Sequence, residues 1–315
     1  MRPDAVQTEG IAPANAAAMA LAIVHQTHYD YAAPVSLARH FAHLRPLADA
    51  YQTVSQFALD IDPVPSHAVE TRDGRGNSCH FFSVFGPHDA LTVRAASHVR
   101  LLPRFAALAP SAAPPWETLA ERLRYVARAP FDPAVEFVQP SPFVPRFEAL
   151  RAYARRSFGP GRPVAAGALA LMHRLHADFS YDPSSTEVDT PLAQVFAQRR
   201  GVCQDFAHLM LGALRMLGLP ARYVSGYLLT RLPGDTAPRI GADASHAWIQ
   251  VYCPGTPGLP ADGWLDLDPT NDIVPDLGHV RLAVGRDYGD VTPLRGVIRS
   301  GGAHALSVAV RVDVL

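Results

Sequence analysis

The stretch that decides the fold is Gly201-Val202-Cys203-Gln204-Asp205-Phe206-Ala207-His208-Leu209-Met210. Apolar residues continue from it at the spacing of one helix face, and Gly218-Leu219-Pro220 is a typical helix stop. We therefore predict a buried helix that begins near Cys203. At the start of a helix, unpaired backbone N–H groups and the positive end of the dipole favour a thiolate over a thiol. The same groups can stabilise an oxyanion, although this segment alone is equally typical of a buried structural cysteine.

Two segments farther along the chain offer partners for such a cysteine. Residues 245–252 and 263–270 both alternate with the period of a strand, and turn-forming Pro and Gly residues separate them. This pattern predicts an antiparallel hairpin. With the turn centred near Gly258, His246 becomes a diagonal neighbour of Asp268, within reach of a hydrogen bond. A carboxylate so placed fixes the tautomer of the imidazole and stabilises its protonated form.

Each of these residues has an ordinary structural explanation when it is taken alone. A single histidine on a strand is more often structural than catalytic, and Asp before Pro is a common strand terminator. All three residues in this order predict a catalytic triad of Cys203, His246 and Asp268. Asp266 lies on the same strand face but nearer the turn, so Asp268 is the better candidate for the orienting carboxylate.

Four segments together resemble the transglutaminase-like superfamily: Gly201–His208, Arg222–Tyr227, Ala244–Trp248 and Leu267–Asn271. Two earlier motifs, His25–Tyr31 followed by Pro34-Val35 and then Asp73–Asn77, are similar to the N-terminal β domain of its bacterial branch. The resemblance covers the chain from about residue 21 to the C-terminus. It implies a papain-like fold and a triad at Cys203, His246 and Asp268. The superfamily includes protein cross-linkers, peptidases, deamidases and inactive modules, so fold and triad transfer better than the reaction does.

The periodicity along the chain predicts an α+β fold with two units. Residues 1–20 are predicted to form a loose leader, and residues 21–106 an antiparallel β domain. An Ala- and Pro-rich linker at 107–115 leads into a catalytic domain at 116–315 that includes the C-terminal strands. In the papain-like, transglutaminase-like core that the resemblance implies, the helix that bears Cys203 packs on an antiparallel sheet.

Four further residues are candidates for the substrate cleft or the oxyanion site. Tyr181 either lines the cleft or packs as an ordinary aromatic residue. Gln204 follows the proposed nucleophile and could place a backbone or side-chain group beside the thiolate. His208 lies about one helical turn beyond the cysteine, where a structural hydrogen bond is as good an explanation. Trp248 shares a strand face with the triad histidine and either shields the triad from water or packs beneath it.

The composition excludes several classes of protein. The chain has 315 residues, of which 48% are apolar, and its net charge of −1 gives no overall attraction to nucleic acid or anionic membranes. Its cysteines, Cys79, Cys203 and Cys253, fit neither a full disulfide set nor a CxxC zinc site. No histidine spacing matches a known metal motif. We predict no cofactor, no metal and no membrane span, and a cytoplasmic location; a signal peptide within the leader is the weaker interpretation.

The predicted activity is hydrolysis of peptide or amide bonds through a thioester. The predicted partner is a peptide or protein substrate, not nucleic acid or membrane, and the oligomeric state is left open. An amine in place of water would give protein transamidation with the same triad. A non-catalytic peptide-binding module is the rival from another class, and its sequence mark would be the loss of a triad member. A metal-dependent hydrolase that uses His208 with other histidines is a third alternative.

Overall fold

The computed structural model describes residues 18–128, 130–232, 237–241 and 245–315. Most of the predicted leader, residues 1–17, therefore lies outside the described residues. The end of the predicted leader differs from the expectation, because the first strand already begins at Met19.

The first unit is an antiparallel sheet with two long central strands. Its first four strands are β1 (Met19–Ala42), β2 (Gln52–Asp62), β3 (His67–Arg72) and β4 (Ser78–Leu101). β1 pairs with one side of β4, and β2 and β3 pair with different lengths of its other side. The sequence pattern predicts two short strands in place of β4. They form one because a shift in pairing near residues 31–34 of β1 lets the ladder continue past the irregular stretch.

The second unit combines helices with a second antiparallel sheet. In chain order it contains α1 (Trp116–Arg122), α2 (Glu148–Arg155), α3 (Val164–Asp178), β5 (Ser180–Tyr181), α4 (Leu192–Gln198), β6 (Arg200–Gly201), α5 (Cys203–Arg215), β7 (Ala221–Leu228), β8 (His246–Tyr252), β9 (Trp264–Leu267) and β10 (His279–Gly285). The sheet has the order β10-β7-β8-β9, and β5 and β6 form a separate short parallel pair. No helix in the described ranges is long and apolar enough to cross a membrane.

Helix α5 is at the centre of the second unit. Every residue from Gln204 to Arg215 is buried, because the helix lies between the sheet and helices α2, α3 and α4. A helix that is buried on all sides must pack closely against its neighbours. Gly212 allows α2 to approach, because a Cβ at this position would lie only 2.7 Å from Cδ1 of Leu150 in α2. The predicted α+β core, with the cysteine-bearing helix packed on an antiparallel sheet beside a β domain, is confirmed.

The last two strands join the first sheet. β11 (Leu294–Ser300) and β12 (His304–Val314) both pair with β1. They lie one after the other along the side of β1 that is opposite β4. The sequence pattern predicts these strands as part of the catalytic domain of residues 116–315, whereas their pairing places them with the β domain. The alternation in β12 does predict a strand. It does not predict the partner, because that choice depends on contacts far apart in the sequence.

The segment predicted as a linker, residues 107–115, is held against the second unit. The amide of Ala109 donates to the carbonyl of Pro257 (3.0 Å), and the carbonyl of Pro114 accepts from the amide of Val164 (2.9 Å). The Ala and Pro content of this segment indicates the lack of a long helix or strand. It does not indicate a lack of contacts.

Two side-chain amides join the β domain to the edge of the second sheet. β10 is an edge strand, and Gln52 Nε2 donates to the carbonyl of Arg281 (2.7 Å) while Gln52 Oε1 accepts from the amide of Arg281 (2.9 Å). Asn77 makes the same pair of bonds with the backbone of Val284, both at 2.8 Å. Each amide takes the place of backbone from a neighbouring strand. The edge is therefore covered without a further strand.

We expect Gln52→Ala to lower the free energy of unfolding by about 2–3 kcal/mol, because the buried amide of Arg281 loses its acceptor. Urea denaturation followed by circular dichroism would measure the change. Gln56→Ala is the matched control, since Gln56 is an exposed glutamine on the same strand and its loss should change stability by less than about 0.5 kcal/mol. Equal effects of the two substitutions would contradict the docking role of Gln52.

Candidate active site

Helix α5 presents Cys203 in its first turn. Asp205 reaches back so that its Oδ2 accepts hydrogen bonds from the amide of Val202 (2.8 Å) and from Thr186 Oγ1 (2.6 Å). These bonds fix the loop that carries the thiol. Gly201 allows this approach, because a Cβ there would lie 2.7 Å from the Asp205 side chain. Cys203 is partly exposed and begins the helix, where the first backbone N–H groups lack the usual acceptor four residues earlier. The amide of Asp205 donates to the carbonyl of Val202 (2.9 Å).

Strands β8 and β9 pair in the register that the sequence predicts. Gln250 faces Asp266, which is the pairing expected for a turn centred near Gly258. His246 begins β8 and Asp268 directly follows β9, so the two are diagonal neighbours. His246 Nε2 lies 2.9 Å from Asp268 Oδ2, and both side chains are buried.

The carboxylate of Asp268 accepts hydrogen bonds from several described groups. Oδ2 accepts from His246 Nε2 (2.9 Å), His279 Nε2 (3.2 Å) and Asn271 Nδ2 (2.9 Å), and Oδ1 accepts from the amides of Thr270 (3.0 Å) and Asn271 (3.3 Å). Burial works to raise the pKa of this carboxyl, but the two histidines hold the pKa well below its usual range. Asp268 is therefore a buried carboxylate whose charge is stabilised by donors from different parts of the chain.

The imidazole of His246 lies between Asp268 and Cys203. Burial works to lower its pKa, but the Asp268 carboxylate and the interaction with Cys203 outweigh burial and raise the pKa to about 10. Because Nε2 faces the carboxylate, Nδ1 is the nitrogen on the cysteine side. A Cβ at Gly241 would lie 2.8 Å from Nδ1 and 3.9 Å from Cβ of Cys203. The structure thus brings the predicted triad together, while its catalytic role stays a prediction.

His279 is a neighbour of the triad that the sequence analysis missed. It lies on β10, and besides its bond to Asp268 its Nδ1 is 3.5 Å from Asp276 Oδ1. Asp276 in turn accepts two hydrogen bonds from Arg239, both at 2.8 Å. His279 falls outside every motif of the sequence analysis. Only the pairing of β10 with β7 brings it to the carboxylate.

Asn271 connects the loop before His246 to the same carboxylate. Its Oδ1 accepts from the amide of Ile240 (2.8 Å), and its Nδ2 donates to the carbonyl of Ile240 (3.1 Å) as well as to Asp268. The Asp-Pro-Thr-Asn motif therefore has two functions in the structure. It supplies the orienting carboxylate and holds the loop that passes over the imidazole.

Two of the four additional candidates make contacts typical of structural residues. Gln204 Nε2 donates to the carbonyl of Val188 (3.0 Å), so its side chain holds a neighbouring loop. His208 is buried and stacked on Phe143, and its Nε2 accepts from the amide of Tyr288 (3.2 Å). Burial lowers the pKa of His208 to about 3, so the ring is neutral. These contacts account for both side chains, and a role at the cleft stays a prediction.

The other two candidates lie beside and beneath the triad. Tyr181 pairs with Gly201, which places it next to the loop that leads into Cys203. Trp248 is fully buried, its ring lies nearly parallel to that of His246 with 6.0 Å between centroids, and its Nε1 donates to an Asp266 oxygen (3.0 Å). Of the two roles predicted for Trp248, these contacts favour packing beneath the triad.

Two tyrosines near the thiol were not candidates in the sequence analysis. The pKa of Tyr223 and that of Tyr288 are both raised, first by burial and then by the negative charge of a Cys203 thiolate, among other groups. Tyr223 belongs to β7, and Tyr288 follows β10. No spacing relative to Cys203 identifies them, since Tyr223 reaches the site on β7 and Tyr288 on a short helical turn after β10.

Metal-ligand atoms come together at two places in the described part of the chain. One group is His246, Asp268 and His279, and the other is His43, Asp73 and Cys79; in each, the ligand atoms lie within 4.8 Å of one another. In the first group both histidines donate to the carboxylate at hydrogen-bond distance. Those bonds account for its geometry. The second group belongs to the β domain and its surroundings.

The chain is similar over most of its length to mycobacterial proteins that are described as uncharacterized. It is 38% identical over 295 residues to a protein of Mycobacterium tuberculosis, covering 93% of this chain and 91% of the relative. It is 33% identical over 296 residues to a protein of Mycobacterium leprae, covering 93% and 98%. A protein-glutamine gamma-glutamyltransferase of Pseudomonas aeruginosa is 32% identical over 135 residues, which is 42% of this chain and 19% of that protein.

A crystal structure of a candidate cysteine protease from Cytophaga hutchinsonii has the same fold. Its sequence is 22% identical, the match covers 95% of this chain and 91% of that one, and the TM-score is 0.71. The family model of the bacterial transglutaminase-like N-terminal region matches residues 21–100, and that of the transglutaminase-like superfamily matches residues 151–269. The resemblance predicted from the motifs is confirmed: this chain belongs to the bacterial branch of the transglutaminase-like superfamily.

Proposed function

We propose that the chain hydrolyses peptide or amide bonds through a thioester on Cys203, with His246 as acid and base and Asp268 as the orienting group. The observation that carries the proposal is the position of His246, which bonds the buried Asp268 carboxylate on one side and adjoins the thiol on the other. Covalent catalysis by a triad requires this order of groups: a nucleophile, a base beside it and a carboxylate that orients the base. Membership of the superfamily supports an enzyme of this general type.

In the proposed first step, the Cys203 thiolate attacks the carbonyl carbon of the amide. The raised pKa of His246 keeps the imidazole protonated at neutral pH, and an adjacent imidazolium and a helix start both favour the thiolate. The backbone amides at the start of α5, those of Cys203 and Gln204, would donate to the oxyanion of the tetrahedral intermediate. As the C–N bond breaks, His246 gives its proton to the departing amine, and the acyl group remains as a thioester.

In the second step, the now neutral His246 accepts a proton from water, whose oxygen attacks the thioester carbonyl. The C–S bond breaks, the carboxylic acid product leaves, and the thiolate and imidazolium are restored. Asp268 keeps the imidazole in the required orientation throughout, because Nε2 remains bonded to it. Every proton in this cycle moves through His246, and Asp268 is not itself protonated.

Transamidation is the second candidate, in which an amine takes the place of water. The partial similarity to a protein-glutamine gamma-glutamyltransferase supports transamidation as a second candidate, and the same triad could serve both reactions. A comparison of acid release with amine incorporation, using a glutamine-containing peptide library with and without a primary amine, would separate them. Hydrolysis is the proposed main reaction because water needs no second binding site.

A peptide or protein substrate and a reducing, cytoplasmic location complete the proposal. The three cysteines are all free thiols, which supports a reducing compartment. A thiolate nucleophile also depends on remaining unoxidised. The retention of all three triad members supports an enzyme over a peptide-binding module without turnover.

We expect Cys203→Ala to reduce hydrolysis of library peptides by at least about a thousandfold, because no other group can form the thioester. Iodoacetamide at pH 6–7 should label Cys203 in the wild type much faster than Cys79 or Cys253, which are buried. Cys253→Ser is the matched control and should retain activity. Activity that survives in Cys203→Ala, or equal labelling of the three thiols, would sink the proposal.

The stability of the fold should depend on pH through His246. Its pKa is about 10 when folded and about 6.5 when unfolded, so its stabilising contribution is complete below pH 6.5 and disappears as the pH rises through 10. We expect the difference in unfolding free energy between wild type and His246→Gln to shrink across this range. Urea denaturation at several pH values would measure it, and a difference that stays constant would contradict the raised pKa.

We also expect His279 to act as a positioning residue through Asp268. His279→Leu removes one donor from the carboxylate, so kcat should fall about tenfold and the pKa of His246 should rise further. His279→Gln keeps a donor and should restore most of the activity. Rates together with NMR titration of His246 test this, because a folding defect alone would lower activity in His279→Leu without moving the titration.

A further inference from the structure

His43, Asp73 and Cys79 come together from three separate places in the β domain. His43 directly follows β1, Cys79 is the second residue of β4, and Asp73 lies in the turn that joins β3 to β4. The ladder between β1 and β4 pairs Ala42 with His80, so the next cross-strand neighbours are His43 and Cys79. The three ligand atoms lie within 4.8 Å of one another.

The ring of His43 is oriented as that of a metal ligand. Its Nδ1 lies 3.2 Å from the carbonyl of Thr292, so Nδ1 carries the proton and Nε2 presents a lone pair. His43 is 2% exposed, and among the described residues its buried Nε2 has no hydrogen-bond partner. A buried nitrogen without a partner requires an explanation. Metal-binding histidines commonly donate their other N–H to a carbonyl in this way.

The carboxylate of Asp73 is held in place but retains capacity to bind. Its Oδ1 accepts from the amides of Arg75 (2.8 Å) and Asn77 (2.9 Å), and its Oδ2 accepts from Asn77 Nδ2 (2.7 Å). Oδ2 therefore keeps one lone pair for a further partner. Asp73 is only half-buried, so this side of the cluster is open to solvent.

The thiol of Cys79 makes a weak hydrogen bond of 3.5 Å to the carbonyl of Asn77 and also interacts with the backbone of Asp73. Its side chain is buried. A buried thiol next to an acceptor nitrogen and a carboxylate is the donor set that a borderline-soft divalent cation prefers. The residues are therefore better explained as ligands than as three unrelated polar groups.

We propose that His43, Asp73 and Cys79 bind a zinc ion. Cys79 would lose its thiol proton on binding, and its negative charge together with that of Asp73 balances the double charge of the ion. Zinc bonds of about 2.0–2.3 Å require the ligand atoms to draw together by roughly 1 Å, which side-chain rotation can supply. Three ligands would leave a fourth position for water, which could reach the cluster because Asp73 is only half-buried.

Charged groups of both signs lie around the cluster. Arg295, stacked on Phe41, acts on His43 as a cation, and Asp290 acts on it as an anion. The site is separate from the triad. The proposal therefore does not depend on the proposed function and can be tested without substrate.

The test uses the full chain with Cys203→Ala, kept reduced, so that the proposed nucleophile contributes no thiolate. Titration with Co²⁺ should give one bound ion with a thiolate-to-cobalt charge-transfer band and the visible bands of tetrahedral coordination, and Zn²⁺ should displace it. His43→Gln and Cys79→Ser should each weaken binding by at least about a hundredfold, since loss of a direct ligand exceeds the effect of losing a supporting partner.

Two controls separate this site from other ligands in the chain. Cys253→Ser removes another buried thiol, and His279→Gln alters the histidine–carboxylate cluster of the triad; neither should change the cobalt spectrum. Should Cys79→Ser fail to fold, zinc should still raise the melting temperature of the Cys203→Ala chain but not that of the same chain with His43→Gln. Absence of the charge-transfer band, its persistence without Cys79, or an equal zinc-induced shift with His43→Gln would overturn the proposal.

Discussion

The rest of the candidate site depends on the buried carboxylate of Asp268. An ionised carboxylate in the interior is strongly unfavourable unless donors surround it, and here they come from β8, from the segment just after β9 and from β10. Each donor is oriented by the bond that it makes. The same requirement that keeps Asp268 charged therefore orients His246, and through His246 it defines where the thiol of Cys203 must lie.

The β domain is connected to this carboxylate through one strand. β10 carries His279, which bonds Asp268, and on the same strand the backbone of Arg281 and that of Val284 are held by amides of Gln52 and Asn77. An edge strand without such partners would have free N–H and C=O groups. The β domain thus supports the strand that supplies the second histidine of the site. This arrangement gives the N-terminal domain a structural role in the second unit.

The sequence predicts the parts of the site that local patterns control. Alternation and turn residues set the register of β8 and β9, and that register alone brings His246 to Asp268. His279 could not be predicted in the same way. β10 is buried along its length, so it shows no alternation between core and solvent, and its position beside β7 follows from tertiary packing.

The pairing of strands in the β domain differs from the prediction for the same physical reason, because contacts far apart in the sequence decide it. The alternating pattern of β12 predicts a strand with one apolar face, on which Val310 and Val312 are partly buried in the structure. Any sheet edge of suitable length satisfies that pattern. Its pairing with β1 depends on the return of the chain after β10. The cluster of His43 and Cys79 could not be predicted either, because sequence spacing does not show which residues are neighbours across a sheet. Spacing along the chain separates His43 from Cys79 by 36 positions, whereas the ladder between β1 and β4 makes them neighbours.

The turn at Asp73–Asn77 links the proposed zinc site to the docking of the two units. Asp73 offers an oxygen to the ion and, through three hydrogen bonds, also holds Arg75 and Asn77 in the turn. Asn77 in turn holds the backbone of Val284 on β10. An ion that fixes Asp73 would therefore reduce the freedom of Asn77, which covers the edge of the second sheet. An ion bound at His43, Asp73 and Cys79 would thus stabilise the contact between the two units through this turn.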